Sequence, residues 1–315
     1  MNTIAPREAY GKALLQLGVE NKEIVVLDAD CSKATMTNLF AKEFPNRFFN
    51  IGIAESDLVG TGAGVALAGK IPFVNAYANF LTGNAWDQIR ISVAYAKQNV
   101  KIIGHNIGTS PGQEGPTHLP LEDVALMRAL PGMTVIDPAD GNEVTKAVRA
   151  LAEHVGPAYI RIGRMPTQIV TGENDPFVIG KANVYRKGND ASIIANGIML
   201  SKAFEAADEL AKLGITVDVI NVHTIKPLDD ECILEAAART GAVVTAEEHS
   251  VIGGLGSAVA ELLVKNLPVP MRMVGVQDRF GLSGKVPELL EALGLTSENI
   301  VKAVKEAIAA KKGMK

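Results

Sequence analysis

Two doubly wound α/β domains are what this sequence of 315 residues predicts. Short β-branched runs alternate with helix-length stretches of small residues, which points to parallel strands covered by helices on both faces. A turn-rich stretch interrupts the alternation near the middle and divides the chain. The 30 glycines supply the small residues that tight β–α turns need, and 47% hydrophobic content excludes a disordered chain. The length suffices for two cores.

In chain order, the expected strands of the first domain are 24–27, 48–51, 72–74, 100–103, 134–136 and 158–162, with helices at stretches such as 85–97 and 142–152 between them. Residues 1–168 are assigned to this domain, and 169–189, with Thr171-Gly172-Glu173-Asn174-Asp175-Pro176 and Lys187-Gly188-Asn189-Asp190, to a linker. The alternation resumes over 190–315, with strands at 192–195, 216–222, 242–246 and 271–276 and helices at 199–213, 230–239 and 255–265. Leu200, Ala203, Phe204, Ala207, Leu210 and Ala211 recur at helical spacing and mark one buried face.

A net charge of −4 excludes a broad basic surface for nucleic acid or an anionic membrane, so an anionic substrate needs a local cluster of cations. Cys31 and Cys232 stand far apart and imply no disulfide framework, as in a reducing cytoplasm. No apolar run approaches the roughly 20 residues of a membrane span, and the start has no apolar signal core. A soluble cytoplasmic protein is expected.

Two stretches can carry chemistry. In Phe49-Asn50-Ile51-Gly52-Ile53-Ala54-Glu55-Ser56-Asp57 a strand ends, Gly52 turns the chain and Glu55 opens a helix. On pattern alone Glu55 is an acid complementing a helix N-terminus. The following Gly60-Thr61-Gly62-Ala63-Gly64 lacks the spacing and placement of a dinucleotide loop. The second stretch, Gly112-Gln113-Glu114-Gly115-Pro116-Thr117-His118, lies beyond a strand end with His105 upstream, where ligands of open α/β sheets bind. On pattern alone a lone loop histidine such as His118 reads as a solvated side chain. The histidines and cysteines show no metal-ligand spacing.

Together these stretches resemble the transketolase family. Ala5-Pro6-Arg7-Glu8-Ala9-Tyr10-Gly11, Gly52-Ile53-Ala54-Glu55, Trp86-Asp87-Gln88-Ile89-Arg90, Gly115-Pro116-Thr117-His118 and Ile160-Arg161-Ile162-Gly163-Arg164 look like its pyrimidine-binding domain; Thr224-Ile225-Lys226-Pro227-Leu228-Asp229 and Glu247-Glu248-His249 look like its carboxy-terminal domain. The resemblance implies ketol transfer with thiamine diphosphate. Glu55 matches the family's carboxylate that hydrogen-bonds the cofactor's aminopyrimidine, Phe80 the aromatic stacked on that ring with Tyr77 nearby, and His118 a histidine that exchanges a proton with the substrate oxygen. Arg7 and Arg164 match arginines that hold a sugar phosphate, and Arg161 is either an assistant or a structural ion pair. A 2-oxo-acid dehydrogenase β subunit and a non-catalytic assembly subunit are the rival readings.

Departures from the family's pattern surround the sugar. Ala34 stands for a phosphate-facing Ser, Asn84 for an Arg, Asn106 (or His105) for a phosphate-binding His, and Gln113-Glu114 for an acidic pair, which implies altered substrate selection. The family's diphosphate-binding domain, with its Gly-Asp-Gly motif and Mg2+, has no counterpart; Ala139-Asp140-Gly141-Asn142 is in the wrong domain. The resemblance therefore implies an amino-terminal, diphosphate-binding partner subunit that holds the magnesium, and assembly into a heterotetramer.

Overall fold

Ile24–Asp28 is buried at every position, as a central strand covered on both faces requires, and the rest of the first domain is assembled around it. The structure, a computed structural model, describes residues 2–313. The first domain contains strands β1 (Thr3–Ile4), β2 (Ile24–Asp28), β3 (Phe48–Asn50), β4 (Ile71–Tyr77), β5 (Lys101–His105), β6 (Thr134–Ile136), β7 (Ala158–Ile162) and β8 (Thr167–Gln168). The second contains β9 (Asn183–Arg186), β10 (Ala191–Ala195), β11 (Val217–Asn221), β12 (Thr224–Lys226), β13 (Val243–Ser250) and β14 (Met271–Val276).

The larger sheet has the order β12-β6-β7-β5-β4-β2-β3 and the smaller β14-β13-β10-β11-β9. In the larger, Leu14, Leu17, Val144 and Val148 pack one face and Leu58, Val59, Ile89 and Val93 the other. In the smaller, the helices Met199–Lys212 and Ser297–Gly313 cover one face, and Asp230–Thr240 and Leu255–Asn266 the other. Both domains are doubly wound α/β units. The pair β1–β8 ties the chain start to the segment after β7.

Four local expectations need correction. The stretch 169–189 expected as linker includes β9, an antiparallel edge strand on β11. With a single neighbour and Val184 facing solvent, it has no apolar alternation to reveal it. Thr224–Lys226 crosses to the first domain and pairs antiparallel with β6. The helix expected at 85–97 begins after Ala85, whose backbone leaves the helical region (φ −107°, ψ 12°) and separates it from the helix Ala78–Asn84; it is α-helical only over Trp86–Gln88 and runs on as the wider π-type helix Ile89–Tyr95. Ala211 is exposed, although the rest of its predicted stripe is buried or half-buried. The rejected motif at 139–142 is a helix cap: the Asp140 side chain accepts from the N–H groups of Asn142 and Glu143, at 3.0 and 3.1 Å.

Candidate active site

β3, β2, β4, β5 and β7 end side by side, and each hands the chain to one part of a crevice along their carboxyl edge. Beyond β3, Gly52 takes the left-handed conformation (φ +85°) and aims the chain into the helix Glu55–Leu67, whose first residue is Glu55. That side chain is only 8% exposed. The Asn84 amide donates to it at 3.4 Å, and the Ser56 hydroxyl donates to the Asn84 carbonyl at 2.9 Å. Asn84 is thus the residue that ends one helix against the start of another. Phe49 (47% exposed) and Ile53 (82%) flank this corner with bare apolar surface.

Tyr77 is the last residue of β4, and Phe80 follows on the helix Ala78–Asn84. Their rings lie nearly parallel, 25° apart with centroids at 6.2 Å. His118 stands edge-on to both, at 5.1 Å from Phe80 and 6.3 Å from Tyr77. Its backbone N–H bonds to the Gly115 carbonyl at 2.9 Å and its Nδ1 meets the Thr117 hydroxyl at 2.9 Å. Asn79 donates to the Thr117 carbonyl at 2.5 Å, fixing the His118 loop to the helix that bears Phe80.

His105 ends β5 beside Tyr77 and Ile162 in the sheet register. The Asn75 amide donates to two carbonyls, so its Oδ1 is an acceptor; Tyr10 donates to it at 2.5 Å and His105 Nε2 at 3.1 Å. Burial, assisted by the nearby Arg7, lowers the His105 pKa to about 3. His105 is consequently a neutral ring with its proton on Nε2, and it brings no charge to an anion. Asn106 follows in the left-handed conformation (φ +59°). Arg7 Nε, His105 Nδ1 and both amide atoms of Asn106 are buried without a partner, four of the eight such side-chain atoms among the described residues. Buried polar groups are otherwise nearly always paired, so this concentration marks a place awaiting a ligand or a rearrangement. Arg7 also donates its backbone N–H to Gly163 (3.2 Å), which sets it next to Arg164; Arg164 forms an ion pair with Glu114.

Sequence reasoning missed several supporting residues. Asp28, buried at the end of β2, accepts from the Cys31 N–H and from the hydroxyls of Thr35 and Thr37 at 2.7–2.9 Å, and burial raises its pKa. Glu248, on β13 of the second domain, accepts from both the N–H (2.7 Å) and the hydroxyl (2.5 Å) of Thr109 at the root of the His118 loop. Arg161, left open between two roles, is a buried structural ion pair: it donates to Asp123 at 2.9 and 3.1 Å and to Asp137 at 2.9 Å. Arg161 had a visible signal, a charge inside an apolar strand run; Asp28 and Glu248 stood only within family-like stretches that assign them no role.

The crevice therefore combines a nearly buried carboxylate, a pair of near-parallel rings, an edge-on imidazole and two arginines. The carboxylate and rings fit an aminopyrimidine, a flat heterocycle with ring nitrogens to hydrogen-bond. Among the described residues no group of three or more His, Cys, Asp or Glu side chains is placed to hold a metal ion. These features define an α/β chain with a crevice whose carboxylate and rings suit a flat heterocycle and whose arginines suit an anion.

Residues 2–168 match the transketolase pyrimidine binding domain and residues 180–300 the transketolase C-terminal domain. The 6-deoxy-6-sulfo-D-fructose transketolase subunit SqwH of Clostridium sp. (strain MSTE9) is 46% identical over 300 residues, which cover 95% of this chain and 93% of that one. A split gene transketolase solved as an inactive β4 tetramer is 50% identical with a TM-score of 0.92, over 98% of this chain and 99% of that one. Human transketolase is 37% identical over 309 residues, 97% of this chain but 49% of the longer protein. The chain belongs to the transketolase family and resembles the carboxy-terminal section of enzymes divided over two chains. The family implies thiamine diphosphate as cofactor. No helix among the described residues is long and apolar enough to cross a membrane.

Proposed function

We propose that this chain is the carboxy-terminal subunit of a two-chain transketolase that moves a two-carbon ketol unit from a ketose with an anionic terminus to an aldose. The observation that carries the reading is Glu55, nearly buried at a helix start in the same crevice as the Tyr77–Phe80 ring pair and His118. Thiamine diphosphate, when bound, supplies the nucleophilic carbon and the electron sink for the transfer. Glu55 holds a hydrogen bond at a pyrimidine nitrogen, made effective by its low exposure. Phe80, with Tyr77 behind it, orients the ring, and offset stacking of this kind is worth about 0.5–1.5 kcal/mol beyond area burial. His118 moves a proton at the substrate oxygen. Arg7 and Arg164 bind the terminal anion with Asn106, which stands where the family has a phosphate-binding His, and Glu114 faces a donor hydroxyl; His105 acts as a neutral support.

The diphosphate and its Mg2+ belong to an amino-terminal partner subunit, and the apolar surface of Phe49 and Ile53 suits the side of the crevice that such a partner closes. Pairs of the two chains then assemble into a heterotetramer in the cytoplasm. The donor's charge is a phosphate or a sulfonate, the latter as in the substrate named for the Clostridium relative. Mixing the purified chain with its amino-terminal partner, thiamine diphosphate and Mg2+ tests the proposal. Turnover of phosphorylated or sulfonated ketoses is expected from the mixture and from neither chain alone; full activity of this chain alone would overturn it.

A further inference from the structure

Beyond the ring pair, a cavity of about 510 Å3 opens between the two domains. Ser110–Glu114 of the His118 loop form one side, Arg164 and Met165 the next, and Gly284–Pro287 of the second domain the far wall. This volume lies within the range of small-molecule sites, roughly 300–1,000 Å3. We infer that Lys285, on that far wall, is a specificity-determining residue that binds the terminal anion of the substrate together with Arg164. The inference deepens the function proposed above and rests on it.

The wall is fixed against the loop. Ser283 donates its hydroxyl to the Gln113 carbonyl at 2.7 Å. Gly112 (φ +63°) and Gly115 (φ +80°) run so close beneath it that an added Cβ would meet the Gly284 carbonyl oxygen at 3.3 Å and Ser283 Cβ at 3.4 Å. The same loop is held at its root by Glu248 through Thr109. The second domain therefore does not merely pack behind the site; it completes the cavity.

The charges support the assignment. Three ionisable side chains line the cavity: Glu114, Arg164 and Lys285. Glu114 already pairs with Arg164, which leaves that cation partly compensated. Lys285 bonds through its backbone N–H to the Glu288 carboxylate at 3.3 Å, and its ammonium is in no ion pair among the described residues. The cavity accordingly carries one net positive charge, among apolar contributions from Pro111, Met165, Val286 and Pro287. Lys285 is exposed in the structure, so a bound anion must displace water from it before the pair gains strength over one in water. A lysine ammonium is a compact point charge that suits the oxygens of either a phosphate monoester or a sulfonate.

The test uses the two-chain enzyme with Lys285→Met and Lys285→Arg, and three ketoses ending in a phosphate, a sulfonate or a plain hydroxyl. Lys285→Met is expected to raise KM for the anionic ketoses about tenfold or more, the scale of one charged hydrogen bond, with kcat and the uncharged ketose unchanged. Lys285→Arg should restore most of the loss. Equal losses on phosphate and sulfonate would show that charge is read, and loss on one alone would assign the wall to that group. An equal effect on all three ketoses, or none, would overturn the inference. Calorimetric binding of the phosphorylated and of the sulfonated ketose decides the matter independently of turnover. A Met variant that binds both as tightly as the original defeats this inference, whereas absent turnover with intact binding defeats only the functional reading.

Discussion

Glu55 and Asn84 lie 29 positions apart and meet at 3.4 Å, and the sequence gives no hint of the pairing. The carboxylate itself was legible because Gly52 and Glu55 stand in a pattern shared with a family; the amide beside it was visible only as a departure from that pattern. The proposed role makes Glu55→Gln informative, since it keeps the shape and removes the charge. Turnover by the reconstituted pair is expected to fall about 10²- to 10⁴-fold, the span of a lost acid–base function, while the thermal melt of the chain stays unchanged. Retained turnover would remove Glu55 from the chemistry. His105 carries a different lesson. Residue type made it a candidate for the anion, but burial and the acceptor oxygen of Asn75 fix it neutral. Its pKa near 3 predicts that its ring signals will not move in an NMR titration from about pH 8 to 5, whereas an ordinary histidine titrates near 6.5. A midpoint above 5 would restore it as a cation.

At the level of elements, the strands buried on both faces were legible because continuous apolar runs can mean little else at that length. β9 and β12 were not: each is a short edge strand whose partner lies elsewhere in the chain, and β12 pairs across a domain boundary. The His118 loop shows the same limit. Its glycines and prolines announce a turn, but Glu248, which holds it, sits 139 positions from Thr109. Gly108 at the loop's root combines a left-handed backbone (φ +55°) with a virtual Cβ only 2.3 Å from the Glu248 carboxyl carbon. Gly69 has a similar sign of φ (+83°) and open space around it. Gly69→Ala should cost about 1–2 kcal/mol, the backbone strain alone. Gly108→Ala should cost more than that and also raise the substrate KM, because it pushes Glu248 off Thr109. Denaturant melts and steady-state kinetics of the two variants check the contrast, and equal effects would mean that the loop tolerates losing its anchor.

For the whole molecule, the interface between the domains includes one fully buried cation. Arg161 is fully buried, bonds Asp123 and Asp137 of its own domain, and donates to the Glu248 carbonyl of the other. Asn196 of the second domain donates to the same Asp137 carboxylate at 2.9 Å. With β12 completing the first domain's sheet, the two domains share both a strand edge and a charge network, so a single cooperative unfolding transition is expected. Removing only the cation is the sharper probe. Arg161→Leu keeps apolar bulk but leaves two carboxylates buried without their partner, and breaking a buried pair in this way costs about 3–5 kcal/mol. Burial already raises the Asp137 pKa, with the arginine opposing that rise. Without Arg161 the folded-state pKa climbs further above the unfolded value. A raised carboxyl pKa means that the folded state holds more protons than the unfolded one, so stability increases as pH falls through that window. The deficit of Arg161→Leu should therefore be largest near neutral pH and shrink toward pH 5. Melts of variant and original protein across this range measure it, and a deficit independent of pH would show that packing around Arg161, rather than its charge, joins the domains.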